Sequence, residues 1–361
     1  MIYFDHAASS LKRVDLLQEI INKIEDFDGN PDSIHGYGRK AKRILEESRR
    51  TLAKAINTSD RQVIFTSGAS ESNNTVISNF DQKGKRIIAS NIEHPSILEK
   101  LKHVDAHVTL VPVKENGKVD INKIIDAIDE STDLVTLMYV NNETGVIQDV
   151  EKLGEYLEDK DIWFHVDAVQ ALGHIDIDVE KIKCDSLSLS GHKIGGLNGF
   201  GILYLRKNLK SLIYGGEQEK NRRAGTSNVF GAYTMAQSID RCLEERDHIR
   251  DLKAYMVEAL QGSGIDFEIN GCLKASDHIL NIYLPKWENR FLLTYLDMQG
   301  ICVSAGSACM AGTLIPSYVI TNMYDDQRAK HSLRLSFGYN NSREEIDKLI
   351  RVLKDLNERK L

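Results

Sequence analysis

Asp185-Ser186-Leu187-Ser188-Leu189-Ser190-Gly191-His192-Lys193 is the stretch that decides how this chain is read. Its first five residues alternate polar and apolar side chains, the period of a strand. A glycine-rich turn follows at 194–199, and a second strand pattern at 200–205. Lys193 therefore stands where a buried strand opens into a loop. Desolvation disfavours the charge of a lysine in such a place, so it is either paired or neutral. A neutral amine there is a nucleophile toward carbonyl compounds. A purely structural lysine is the alternative.

Upstream, His165-Val166-Asp167-Ala168-Val169-Gln170 ends another apolar strand that begins near Ile162. A carboxylate at the end of a buried parallel strand needs a cation. Pyridoxal phosphate would use both groups: the lysine as a Schiff-base partner, the anion to keep the pyridine nitrogen protonated. One Asp and one Lys, each ending a strand, can face that cofactor from opposite ends. The competing reading is an ion pair that only holds two strands together.

The pattern around these two motifs is regular. Strands are expected at 63–66, 86–90, 108–113, 135–140 and 162–166, with helices at 70–80, 96–101, 121–128 and 150–157. This alternation predicts an α/β fold, a mostly parallel sheet covered by helices on both faces. Ligands of such sheets lie beyond the carboxyl ends of the strands, where His94, Asn142, Asp167 and Lys193 all fall. A long helical stretch from Val229 to about Leu260 leads into a smaller α+β domain of about residues 251–361. Two domains also suit a chain of 361 residues.

Composition excludes several classes. A 42% hydrophobic and 27% charged content is that of an ordinary globular protein. The net charge is −7 and no Lys/Arg run could grip a phosphate backbone, so direct nucleic-acid binding is not expected. No apolar stretch reaches membrane-spanning length and no signal peptide is visible. The five cysteines, Cys184, Cys242, Cys272, Cys302 and Cys309, are odd in number and form no Cys-x-x-Cys pair. That argues against a disulfide framework and a zinc site, and makes a reducing cytoplasm the simplest compartment.

Three further segments carry chemistry. Thr66-Ser67-Gly68-Ala69-Ser70 follows a strand and opens a helix, where small residues and the helix N-terminus suit a phosphate; a plain helix cap would look the same. Arg334, in the alternating run Ser332-Leu333-Arg334-Leu335-Ser336, offers a planar fork for a carboxylate, unless it is a surface arginine on an edge strand. Cys309 lies in Ala305-Gly306-Ser307-Ala308-Cys309-Met310-Ala311-Gly312, a small-residue run that reads as a mobile loop with an accessible thiol.

Taken together, these motifs resemble the fold-type-I pyridoxal-phosphate enzymes of the class V aminotransferase family, and among them the cysteine desulfurases of the NifS/IscS kind. Tyr3-Phe4-Asp5, Gly29-Asn30-Pro31, Phe65-Thr66-Ser67-Gly68-Ala69, Glu93-His94, Val140-Asn141-Asn142-Glu143-Thr144-Gly145, Arg223-Ala224-Gly225-Thr226 and Gly306-Ser307-Ala308-Cys309 occur in the family's order. The resemblance implies a large domain at 13–250 and a small one made of 1–12 and 251–361. It implies a cofactor-phosphate cradle of Ala69, Ser70, Ser190 and His192, completed from the partner subunit of a homodimer by Thr226. His94 would stack on the pyridine ring, Asp167 would face its nitrogen, and Asn142 and Gln170 would hold the 3′-oxygen and the substrate. Arg334 would bind the carboxylate of L-cysteine, and Cys309 would carry the sulfur as a persulfide to an acceptor protein.

Departures from the family pattern are Met310, where a small hydroxyl residue is common, and Leu197-Asn198, where Pro-Lys is usual. The short C-terminus leans away from delivery to an iron–sulfur scaffold and leaves tRNA thiolation or another cofactor pathway open. Rival readings are a selenocysteine lyase or cysteine-sulfinate desulfinase, an aminotransferase on the same fold, and a catalytically idle adaptor. Intact Lys193, Asp167 and Cys309 argue against the last.

Overall fold

The computed structural model describes residues 1–272, 275–306 and 316–358. Its first strand, β1 (Ile2–Tyr3), stays outside the main sheet. That sheet has seven strands: β2 (Val63–Thr66), β3 (Arg86–Ser90), β4 (His107–Val111), β5 (Thr132–Met138), β6 (Trp163–Asp167), β7 (Ser186–Ser190) and β8 (Gly201–Leu205). Their spatial order is β2-β8-β7-β6-β5-β3-β4. β3 to β7 pair in parallel, and β8 runs antiparallel to both β7 and β2. The β7–β8 link is too short for a crossover, so the strand after Lys193 must turn back beside the strand before it.

The expected strands appear within a few residues of their places, with two informative differences. The run read as a strand at 135–140 ends at Met138, because Val140 bridges Ile147 and the Asn141 N–H bonds to Val146. The Ser/Leu alternation of β7 does not mark a half-wet strand: all five residues are buried. Its serine face is dry because Ser186 and Ser188 have polar partners. Ser186 Oγ accepts from Trp163 Nε1 at 2.8 Å and lies 2.8 Å from His165 Nδ1. A buried hydroxyl is tolerated when it is bonded in this way.

Apolar side chains fill both faces of the sheet. Ile88, Val135, Phe164, Leu187 and Ile202 belong to the larger core on one face, and Ile87, Leu134 and Leu203 to that on the other. A separate core joins Phe4 to Leu252, Met256, Leu280, Leu335 and Leu353. Around it lie a three-stranded sheet of β9 (Glu268–Ile269), β10 (Ile279–Tyr283) and β12 (Ser332–Ser336), and the short pair of β1 with β11 (Ile301–Cys302). The helix Val229–Gln261 serves both cores: Met235 and Ile239 pack into the first, Leu252 and Met256 into the second. No helix among the described residues is long and apolar enough to cross a membrane.

Candidate active site

The carboxyl ends of the parallel strands open on a cavity of about 300 Å³. Of the residues singled out in the sequence, Ala69, Ser70, His94, Asn142, Asp167, Gln170, Ser190, His192, Lys193 and Arg334 all line it. They come from six separate segments of chain. Thr226 is exposed and does not line the cavity of its own subunit. Cys309 and Met310 lie outside the described residues.

Asp167 ends β6 in a neutral network. Its Oδ2 accepts from Asn73 Nδ2 at 2.9 Å, and its Oδ1 from the Val169 N–H at 3.1 Å. Asn73 is fully buried; it also donates to Ser96 Oγ at 2.9 Å, and its Oδ1 lies 2.9 Å from His165 Nε2. An amide oxygen only accepts, so His165 carries its proton on Nε2 and takes the Ser186 hydroxyl proton at Nδ1. Burial pushes the pKa of His165 down to about 3, which keeps it neutral. The carboxylate is thus oriented by neutral dipoles on both of its oxygens.

His94 caps the helix Pro95–Leu101, with Nδ1 accepting from the Ser96 N–H at 3.1 Å. Burial lowers its pKa; Asp167 pulls it up and Lys193 down again. The ring is a neutral imidazole with its proton on Nε2, and it lines the cavity.

Lys193 is half-buried, and its Nζ donates to the carbonyls of Ala7 at 2.7 Å and Ala8 at 2.8 Å. These carbonyls belong to the chain's first residues, whose neighbour Phe4 packs in the second core. Arg334 is 1% exposed, so it is no surface arginine on an edge strand. Its guanidinium donates to the Asn142 carbonyl at 2.8 Å and pairs with Asp5 Oδ1 at 2.8 Å.

Two observations test whether pyridoxal phosphate fits. Gly68 caps the helix Ala69–Asn79 without any side-chain bond, leaving the helix N-terminus open to the cavity, as an anionic group requires. The approach is close: a Cβ at Gly201 would lie 2.7 Å from Gly68 Cα, so only glycine lets the loop lie against β8. Second, the Asn142 Oδ1 is buried without a partner, a polar atom awaiting a ligand. The residues present fit the cofactor.

Sequence reading missed Asn73 and the Ala7 and Ala8 carbonyls. Asn73 carried one usable signal, its place in Ser72-Asn73-Asn74 on the helix that opens the phosphate-type turn. The two alanines carried none, because they act through backbone oxygen atoms.

Comparison with known proteins agrees with this geometry. Residues 2–349 match the family described as aminotransferase class-V. A relative from Bacillus subtilis named putative cysteine desulfurase IscS 1 is 39% identical over 99% of both chains. A solved NifS-like protein superposes with a TM-score of 0.89 at 33% identity, covering 99% of each chain. A solved structure of SspA in complex with cysteine reaches a TM-score of 0.83 at 30% identity, over 93% of this chain and 99% of that one. The chain belongs to the class-V aminotransferase family and, within it, to the cysteine desulfurases of the IscS and NifS-like group.

Proposed function

We propose that this chain is a pyridoxal 5′-phosphate-dependent cysteine desulfurase that works as a homodimer in the cytoplasm and passes sulfur from L-cysteine to an acceptor protein. The observation that carries the proposal is the meeting of Lys193, Asp167 and Arg334 on one cavity. Bound there, the cofactor would supply an electron sink for charge released at the substrate Cα. Gly68, Ala69, Ser70, Ser190 and His192 would hold its phosphate, with Thr226 of the partner subunit. Asp167 would face the pyridine nitrogen, and His94 would cover the ring.

Lys193 anchors the cofactor and, as a free amine, takes the Cα proton of the substrate. Arg334 orients the substrate carboxylate through its planar fork. The thiolate of Cys309 attacks the substrate sulfur. An S–S bond forms, the C–S bond breaks with its electron pair left on carbon, and L-alanine departs once that carbon is protonated. Cys309 keeps the persulfide until an acceptor in tRNA thiolation, iron–sulfur or other cofactor assembly removes it.

Mass spectrometry after incubation with L-cysteine tests this. One added sulfur atom on Cys309, equimolar alanine, and loss of both in Cys309→Ala are expected. The other four cysteines, two buried and two half-buried, do not substitute. Near wild-type sulfide release by Cys309→Ala would replace the persulfide route with a lyase or aminotransferase reading.

A further inference from the structure

Both ends of the Gln170 amide are committed. Its Nε2 donates to the Ala7 carbonyl at 2.9 Å, and its Oε1 lies 3.0 Å from Nε2 of His278, a buried residue just before β10. A carbonyl has no proton to give, so the amide atom facing Ala7 is the nitrogen. The atom facing His278 is then the oxygen, and the imidazole must present an N–H on Nε2. Its Nδ1 is left as an acceptor for the Ser276 hydroxyl, 2.6 Å away. The ring plane is held as well: His174 stacks on it with centroids 3.5 Å and planes 8° apart. Burial, followed by the fields of His174, Lys253, His6 and Lys193, keeps His278 neutral. The Ala7 carbonyl also receives Lys193, so the chain of contacts from His278 through Gln170 ends on the lysine.

We propose that His278 is a positioning residue: by donating to Gln170 Oε1 it fixes the amide so that an N–H, not the carbonyl, is available to the cofactor's 3′-oxygen. This rests on the reading of the cavity as a pyridoxal-phosphate site. Turning the amide over would set two carbonyl oxygens against each other at Ala7, and His278 would have to shift its proton to Nδ1, with the Ser276 hydroxyl turned to accept it, before Nε2 could meet an N–H. With His278 removed, only Ala7 opposes the turn. No motif quoted from the sequence contains His278, and its donor enters from the segment that leads into β10, whereas Gln170 follows β6 of the seven-stranded sheet.

The test titrates the visible absorbance of the bound cofactor in the purified protein. A donor on the 3′-oxygen favours its anionic form, so losing the donor raises the midpoint of the chromophore's protonation. His278→Leu is expected to raise that midpoint by roughly one pH unit, and Gln170→Ala at least as much. The double variant should shift no further than Gln170→Ala alone. His278→Gln, which keeps an N–H donor, should stay close to the wild type.

A merely structural role would lower the melting temperature of both His278 variants and leave the midpoint in place. An unshifted midpoint in His278→Leu, or additive shifts in the double variant, overturns the proposal. If His278→Leu does not fold, His278→Gln decides: a shift as large as that of Gln170→Ala overturns the proposal, and a near wild-type midpoint beside a shifted Gln170→Ala supports it. A wild-type protein that takes up no cofactor would overturn the cofactor reading itself, and this proposal with it. A wild type that titrates while His278→Leu stays unshifted overturns the role of His278 alone.

Discussion

Asp5 Oδ1 lies 2.8 Å from the guanidinium of Arg334, joining the start of the chain to β12 at the wall of the cavity. The pair holds the planar fork in place before any substrate arrives, and Asn142 holds its other side through a backbone carbonyl. Arg334→Ala is expected to raise the L-cysteine concentration for half-maximal turnover roughly ten- to a hundredfold, the worth of a charge-assisted bidentate contact. Cofactor content should change little. An unchanged dependence of initial rate on cysteine would place the carboxylate site elsewhere.

Lys193→Ala should abolish turnover while the fold persists. The side chain lines the cavity and donates to the Ala7 and Ala8 carbonyls there. Borohydride treatment of the wild type should fix the cofactor covalently to the polypeptide. The same treatment should leave none on the variant, as read by peptide mass, and cofactor still fixed there would assign the wrong lysine.

Thr226 sits on an exposed loop tied down from below. Glu219, buried and paired with Arg49 at 2.6 Å, also accepts from the Phe65 N–H of β2, and Arg223 pairs with Glu71 at 3.0 Å. The loop is therefore held in place while its threonine faces outward. Thr226→Ala should weaken cofactor retention on dialysis. Mixed dimers of Thr226→Ala and Lys193→Ala chains should regain activity above both parents, by pairing one intact site with one doubly damaged site. Mixed dimers no better than the parents would argue against sharing across subunits.

Acid should unfold the protein early. Burial holds His6 at a pKa of about 4, and His165, His174 and His192 at about 3, against about 6.5 when unfolded. Between pH 4 and 6.5 the unfolded chain binds more protons than the native one, so stability rises with pH there and falls as pH drops. Each fully shifted histidine contributes up to about 1.4 kcal/mol per pH unit. Glu93, raised to about 8 by burial, works the other way between 4.5 and 8 and offsets about one histidine. Urea unfolding should give a clearly lower stability at pH 5 than at pH 6.5. Equal or greater stability at pH 5 would contradict these burial assignments.

Much of the fold was legible in the chain because its signals are local. Apolar runs such as Arg86–Ser90 and helical periods such as Val150–Leu157 depend on residues a few positions apart, and both stand where the pattern put them. Asp167 and Lys193 were legible as strand-end groups for the same reason, and β6 and β7 pair in parallel, which brings both to one end of the sheet.

Tertiary structure alone decided the rest. The dryness of the β7 serines depends on Trp163 and His165 of the neighbouring strand, and the orientation of Asp167 on Asn73, ninety-four positions away. The carbonyls that receive Lys193 come from the first residues of the chain, and the donor that fixes Gln170 comes from His278. Backbone oxygens have no letter in a sequence, and a buried polar atom is satisfied by whatever the fold brings within 3 Å. Local pattern therefore named the reacting groups, and long-range packing chose the atoms that aim them.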